Sequence, residues 1–133
     1  MLPLYKMIID EANQIQGQVQ DALEEVYRLE LSVASARYTQ KTVVEPALEV
    51  EDARLLGIVT GSNETQRRAQ LVFLKTTDEN YLWAKISSDD TVLLLEQMAA
   101  DIKHAAHRYR AALSALEYKT QLLQYLAGWD TET

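Results

Sequence analysis

The chain has no cysteine, and among its 133 residues only four are glycine, two proline and one phenylalanine. The missing thiol excludes disulfides, thiolate zinc sites and thiol nucleophiles together. So few glycines and prolines exclude a turn-rich β fold, which needs punctuation every few residues. No apolar run is long enough to span a membrane, and Asp10 and Glu11 arrive before a signal-peptide core can form, so a soluble cytoplasmic protein is expected. Positive charge is also lacking. With 13 basic against 20 acidic side chains the net charge is -7, which opposes strong non-specific binding to nucleic acid while leaving room for a local basic patch. A chain of this length makes one domain, residues 1–133, with a modest core and no space for a large enclosed catalytic cavity.

What is present is heptad periodicity. Apolar or small residues fall at Tyr5, Ile8, Ala12, Ile15, Val19, Ala22, Val26, Leu29, Val33 and Ala36, alternating in steps of three and four. That spacing is the signal of a coiled coil, with Ala12, Val19, Val26 and Val33 at a and Ile15, Ala22, Leu29 and Ala36 at d. Gly17 then falls at f, facing solvent. Pro3 suits a first helical turn, and the arm, residues 4–38, should fade after Tyr38, where Thr39, Thr42, Val43 and Val44 precede Pro46.

A second run places Leu95, Ile102, Tyr109, Leu116 and Leu123 at a, and Met98, Ala105, Ala112, Lys119 and Leu126 at d. The register extends back through Tyr81, Ala84, Ser88 and Thr91 without a stutter, predicting one return helix over residues 78–127. The alternative is a break at Ser87-Ser88, with Ser88 capping a new helix. Gly128 reads as the stop before a short tail, residues 128–133.

Two such helices in one chain predict an all-α fold: a long antiparallel helical hairpin, coiled-coil-like, with a small helical head at its tip. Pairing residues whose numbers sum to 131 sets a opposite d throughout and matches large with small at Val19–Ala112, Ala22–Tyr109 and Val26–Ala105. Charge agrees. Residues 1–35 carry the acids Asp10, Glu11, Asp21, Glu24, Glu25 and Glu30 against Lys6 and Arg28, whereas 103–119 carry Lys103, Arg108, Arg110 and Lys119 against Glu117. Glu25 and Arg108 are expected as flanking partners. In the head, residues 45–77, Pro46 opens a short helix through about Leu56, and Gly57 and Gly61 bracket a turn. Ser62 or Asn63, the latter with Gln66 in a capping-box arrangement, starts another helix whose Leu71, Phe73 and Leu74 face inwards.

The stretch Gly61-Ser62-Asn63-Glu64-Thr65-Gln66-Arg67-Arg68-Ala69-Gln70-Leu71, followed by Asp78 and Tyr81 at the start of a long helix, resembles an uncharacterised family of small helical phage and prophage proteins. There a Gly-x-Asn-Glu segment with a nearby Arg and Leu sits between two long helices. The resemblance implies no activity; it implies a phage accessory factor working in the host cytoplasm, and a head that behaves as one unit.

Residues that carry chemistry are few. Asp101, His104 and His107 have helical spacing for a metal site, but both histidines lie at c and f, away from the seam, where solvent-facing side chains are expected. The acidic set Glu45, Glu49, Glu51 and Asp52 fits the favourable start of a short helix better than a carboxylate pair. No metal and no cofactor is expected. Arg67 and Arg68, with Lys75 and Lys85, are candidates for a basic contact with nucleic acid; the plainer alternative pairs one arginine with Glu64 or the Gly61 turn. Trp83 and Trp129 read as packing anchors, although Trp129 in the tail would suit a contact with another chain.

The function expected is therefore non-enzymatic: a helical interaction or assembly protein acting on an unidentified protein partner, with an accessory nucleic-acid-binding protein or an acidic inhibitor of a basic surface as alternatives. Self-association is expected as well. The e positions carry Ile9, Leu23, Val92, Ala99, Ala106 and Leu113, a face wider than a two-helix coil needs, so a dimer in a four-helix arrangement centred on Leu23 and Leu113 is predicted.

Overall fold

The computed structural model describes the backbone of residues 2–132 and the side chains of residues 3–128. Its elements are α1 (Leu2–Thr39), a π-helical turn (Gln40–Val44), α2 (Glu45–Ile58), α3 (Glu64–Thr77) and α4 (Glu79–Glu132). No strand occurs among the described residues, and the fold is all-α with packing between the long helices. The chain divides into two compact units, one of Met1–Leu31 with Ala99–Thr133 and one of Ser32–Met98.

In the first unit, burial follows the heptads. Ile8, Ala105 and Leu126 are buried, and Ala12, Ile15, Val19, Ala22, Val26 and Leu29 are half-buried, as are Ile102, Tyr109, Ala112, Leu116, Lys119 and Leu123. Gly17 is exposed with open space around it. Ion pairs join α1 to α4, among them Glu25 with Arg108 at 2.9 Å and Glu11 with Lys119. The first is the flanking pair expected from the sequence.

The second unit departs from expectation between Tyr38 and Pro46. The helix does not fade there: Thr39 (φ -62°, ψ -42°) and Glu45 (φ -63°, ψ -46°) keep right-handed helical angles, and α1 runs through the π turn into α2. The Glu45 N–H bonds five residues back to the Gln40 carbonyl, and the Thr42 hydroxyl donates to the Tyr38 carbonyl at 2.7 Å. Each β-branched residue costs a helix only a few tenths of a kcal/mol, roughly up to 0.7. Proline is costly because it lacks a donor and presses on the carbonyl four residues back, and a wider turn just ahead of Pro46 accommodates both problems. Gly57 lies within α2 and does not bracket a turn; the chain leaves the helix at Val59 (φ -63°, ψ 125°).

Asn63 (φ -137°, ψ 169°) caps α3, its side chain accepting from the Gln66 N–H at 2.9 Å. Leu71 and Leu74 are half-buried, but Phe73 is 64% exposed. Phe73 does not face inwards because, two residues beyond Leu71, a helical side chain has turned about 200° away from it. The core of this unit is the fully buried Leu55, with Val33 and Tyr81.

The α4 helix is unbroken through Ser87-Ser88, as the register predicts, and Ser88 caps no new helix. Thr91 turns its hydroxyl back to the Ser87 carbonyl at 2.7 Å, satisfying itself on the helix's own backbone. The expected stop at Gly128 is not found: α4 runs on to Glu132, and no described glycine adopts a positive φ. One glycine costs a helix about 1 kcal/mol, which does not end it.

Candidate functional site

The most connected point of the second unit is Asp78, the single residue between α3 and α4. Its N–H closes α3 by donating to the Leu74 carbonyl at 2.7 Å, its carbonyl accepts from Leu82 at 3.0 Å, and its Oδ1 accepts from the Tyr81 N–H at 2.9 Å. Arg54 on α2 donates to the same Oδ1 at 2.5 Å and to Glu51 at 2.6 Å. The Arg54 bond, then the Tyr81 N–H, hold the Asp78 carboxyl below the usual carboxylate range, and Asp78 ahead of Glu51 raises the Arg54 guanidinium. Nearby, Lys75 pairs with Asp52 at 3.7 Å and lies 5.7 Å from the centre of the Tyr81 ring. The acidic set of α2 is thus divided: Glu51 and Asp52 hold cations of their own unit, and Glu45 and Glu49 are exposed.

The loop ahead of α3 engages the two candidate arginines. Arg68 pairs with Glu64 one turn back at 2.7 Å, and Arg67 reaches the Gly61 carbonyl at 3.4 Å. Gln66 accepts from the Ser62 N–H and hydroxyl at 3.0 and 2.7 Å, and Gln70 accepts from the N–H groups of Thr60 and Gly61 at 3.0 and 2.8 Å. Gly61 is required by close approach: a Cβ there would stand 2.8 Å from the Arg67 nitrogen and 2.9 Å from the Gln66 Cβ. The arginines thus follow the plainer alternative, holding the turn and the first helical turn of α3. They also rim a small hollow floored by Leu56, Val59 and Leu71.

Leu23 and Leu113 are both half-buried in the first unit. The side chain of Trp129 lies outside the described ones. His104 and His107 are exposed, and no group of three metal-ligating side chains occurs among the described residues. No helix among them is long and apolar enough to cross a membrane.

The feature that heptad reasoning did not anticipate is on the outer side of α4. Trp83, expected as a packing anchor, is 67% exposed, and Ile86, Leu93 and Leu94 are 49%, 63% and 50% exposed. Trp83, Ile86, Ser87, Asp90, Thr91 and Leu94 line one shallow open groove. The signal is present in the sequence, since Trp83, Ile86, Leu93 and Leu94 occupy c, f and g positions, where a solvated helix carries charge. No protein-family model, curated protein or solved structure matches the chain.

Proposed function

We propose that this chain is a helical interaction or assembly protein, non-enzymatic, that works by presenting helix faces to other protein chains and to copies of itself. The observation that carries the reading is the amount of large apolar side chain left uncovered. Leu31 is 73% exposed and Tyr118 and Tyr125 are each 63% exposed in the first unit, and Val72 and Phe73 are each 64% exposed in the second. Scattered exposed apolar residues are ordinary, whereas a contiguous apolar helix face, such as Trp83, Ile86, Leu93 and Leu94 make on α4, marks a contact surface.

In this reading α1 and α4 of the first unit make an antiparallel coiled-coil hairpin. The covered a and d positions support it, as do the ion pairs, whose α4 partners fall from Arg108 to Lys119 in the direction expected when α1 is followed backwards from Glu25 to Glu11. Self-association belongs to the same reading, with the half-buried Leu23 and Leu113 of the e-position strip as one face offered for it. The likeness of Gly61–Leu71 to small phage proteins is in keeping with an accessory factor of the host cytoplasm.

Light scattering during size exclusion tests the reading. A mass that rises above 15.1 kDa as concentration reaches tens of micromolar supports it. A strictly monomeric chain that instead binds DNA or RNA at low salt, with loss of binding in Arg67→Ala/Arg68→Ala, would establish the nucleic-acid alternative.

A further inference from the structure

Resting on the reading of the chain as a self-assembling helical protein, we infer that the outer face of α4 from Trp83 to Leu94 is the contact between two copies, packed antiparallel about a two-fold axis between Ser88 and Asp89. The residues facing outward read apolar, polar, polar, apolar: Trp83, Ser87, Asp90, Leu94, each about one helical turn from the next. Turning such a strip end over end about its midpoint superposes the pattern on itself. Trp83 then meets Leu94 of the second copy, and Ser87 meets Asp90. The pairing is chemically complementary as well as geometrically allowed, because a hydroxyl donates and a carboxylate accepts. The two-fold makes both pairs twice, as an isologous contact requires.

Ile86 and Leu93 lie on one edge of this strip. In an antiparallel pair with its axis perpendicular to the helices, that edge meets its own counterpart, so Ile86 closes over Leu93 of the second copy. Lys85 lies on the opposite face of the helix and is already joined to Asp89 at 3.2 Å, so the strip itself presents no cation for an acidic partner. At the exposures of Trp83, Ile86, Leu93 and Leu94, the apolar side chain presented is on the order of 450 Å² per copy. Two copies with the intervening polar groups and flanks therefore bring the contact to the roughly 1,000 Å² that a specific interface needs. A second copy is the occupant favoured because the strip matches itself in size and in hydrogen-bonding sense at each of its four positions.

Four forms of the full chain decide it, each checked for helicity by circular dichroism and then followed by sedimentation equilibrium: the natural sequence, Ser87→Asp, the double variant Ser87→Asp/Asp90→Ser, and Leu23→Glu. Ser87→Asp sets carboxylates against carboxylates in both central layers, and weakening of association by tenfold or more is expected. The double variant exchanges donor and acceptor and restores association. Ser87→Asp associating as tightly as the natural sequence, or a double variant no tighter than the single one, overturns this interface. If Leu23→Glu alone abolishes association, the α4 face is refuted and self-assembly stands; if the natural sequence is monomeric at 100 µM by this measurement, both fall.

Discussion

Arg54 and Asp78, separated by 24 positions in the chain, share a 2.5 Å ion pair on the very oxygen that caps α4. One carboxylate thereby ties α2 to the junction of α3 and α4, so the direction in which α4 departs depends on a side chain from α2. Asp78 serves the backbone and the ion pair at once.

Acid should reveal that dependence. Because the native Asp78 carboxyl binds its proton less readily than that of the unfolded chain, its contribution is complete above the ordinary value of about 3.9 and is lost as pH falls from there through the lowered native value. Asp78→Asn keeps an acceptor for Tyr81 but has no proton to gain. Thermal melts between pH 6 and pH 2 should therefore show a steeper loss in the natural chain than in the variant; parallel curves would exclude the linkage.

Gly61 and Gly17 should respond oppositely to alanine. At Gly61 the added Cβ meets the Arg67 nitrogen at 2.8 Å, so the start of α3 must shift at a cost of about 1–3 kcal/mol. At Gly17, within α1 and with nothing inside 4 Å, alanine should raise stability by about 0.5–1 kcal/mol. Urea titration of the two variants measures both signs.

The heptad register predicts a third contrast. Leu29 is half-buried at a d position, and Leu29→Asp should cost at least about 2 kcal/mol, whereas Gln16→Asp on the exposed flank should stay within about 0.5 kcal/mol. Equal shifts in melting temperature would remove the register.

Lys119 occupies a d position with its side chain 24% exposed and its ammonium on Glu11. Its stem lies among apolar groups while its charge reaches the flank. Lys119→Met should therefore leave stability unchanged or slightly raised, and Lys119→Asp, facing Glu11, should lower it by about 1–3 kcal/mol. Chemical denaturation of both variants distinguishes a packing role from an electrostatic one.

The long helices were legible because their stabilisation is periodic: Ile8, Val33, Tyr81, Ala105 and Leu126, five of the six residues buried among those described, sit at a or d. The Asn63 cap and the Glu25–Arg108 pair were legible because each depends on short-range spacing or on the register itself. Arg54–Asp78 was not. Its only trace in sequence is an arginine set within the apolar stretch of α2, and the partner of such a residue depends on how α2 meets α3. The continuity of α1 with α2 is hidden for another reason: proline and β-branched residues each read as a breaker, whereas a single wide turn relieves them together. Phe73 and Trp83 have the hydrophobicity of interior residues, but their helical phase points outward.

The π turn at Gln40–Val44 has the form that one added residue leaves in an α-helix. At about 100° per residue, that single residue rotates everything after it by more than a quarter turn relative to the helix before it. Removing one residue from this turn would lengthen no loop and break no cap, yet it would turn Leu55 out of the core and swing Arg54 away from Asp78. Within the second unit, Gln40–Val44 therefore sets the angular phase of α2, and the length of this segment is as much a determinant of the fold as any residue in it.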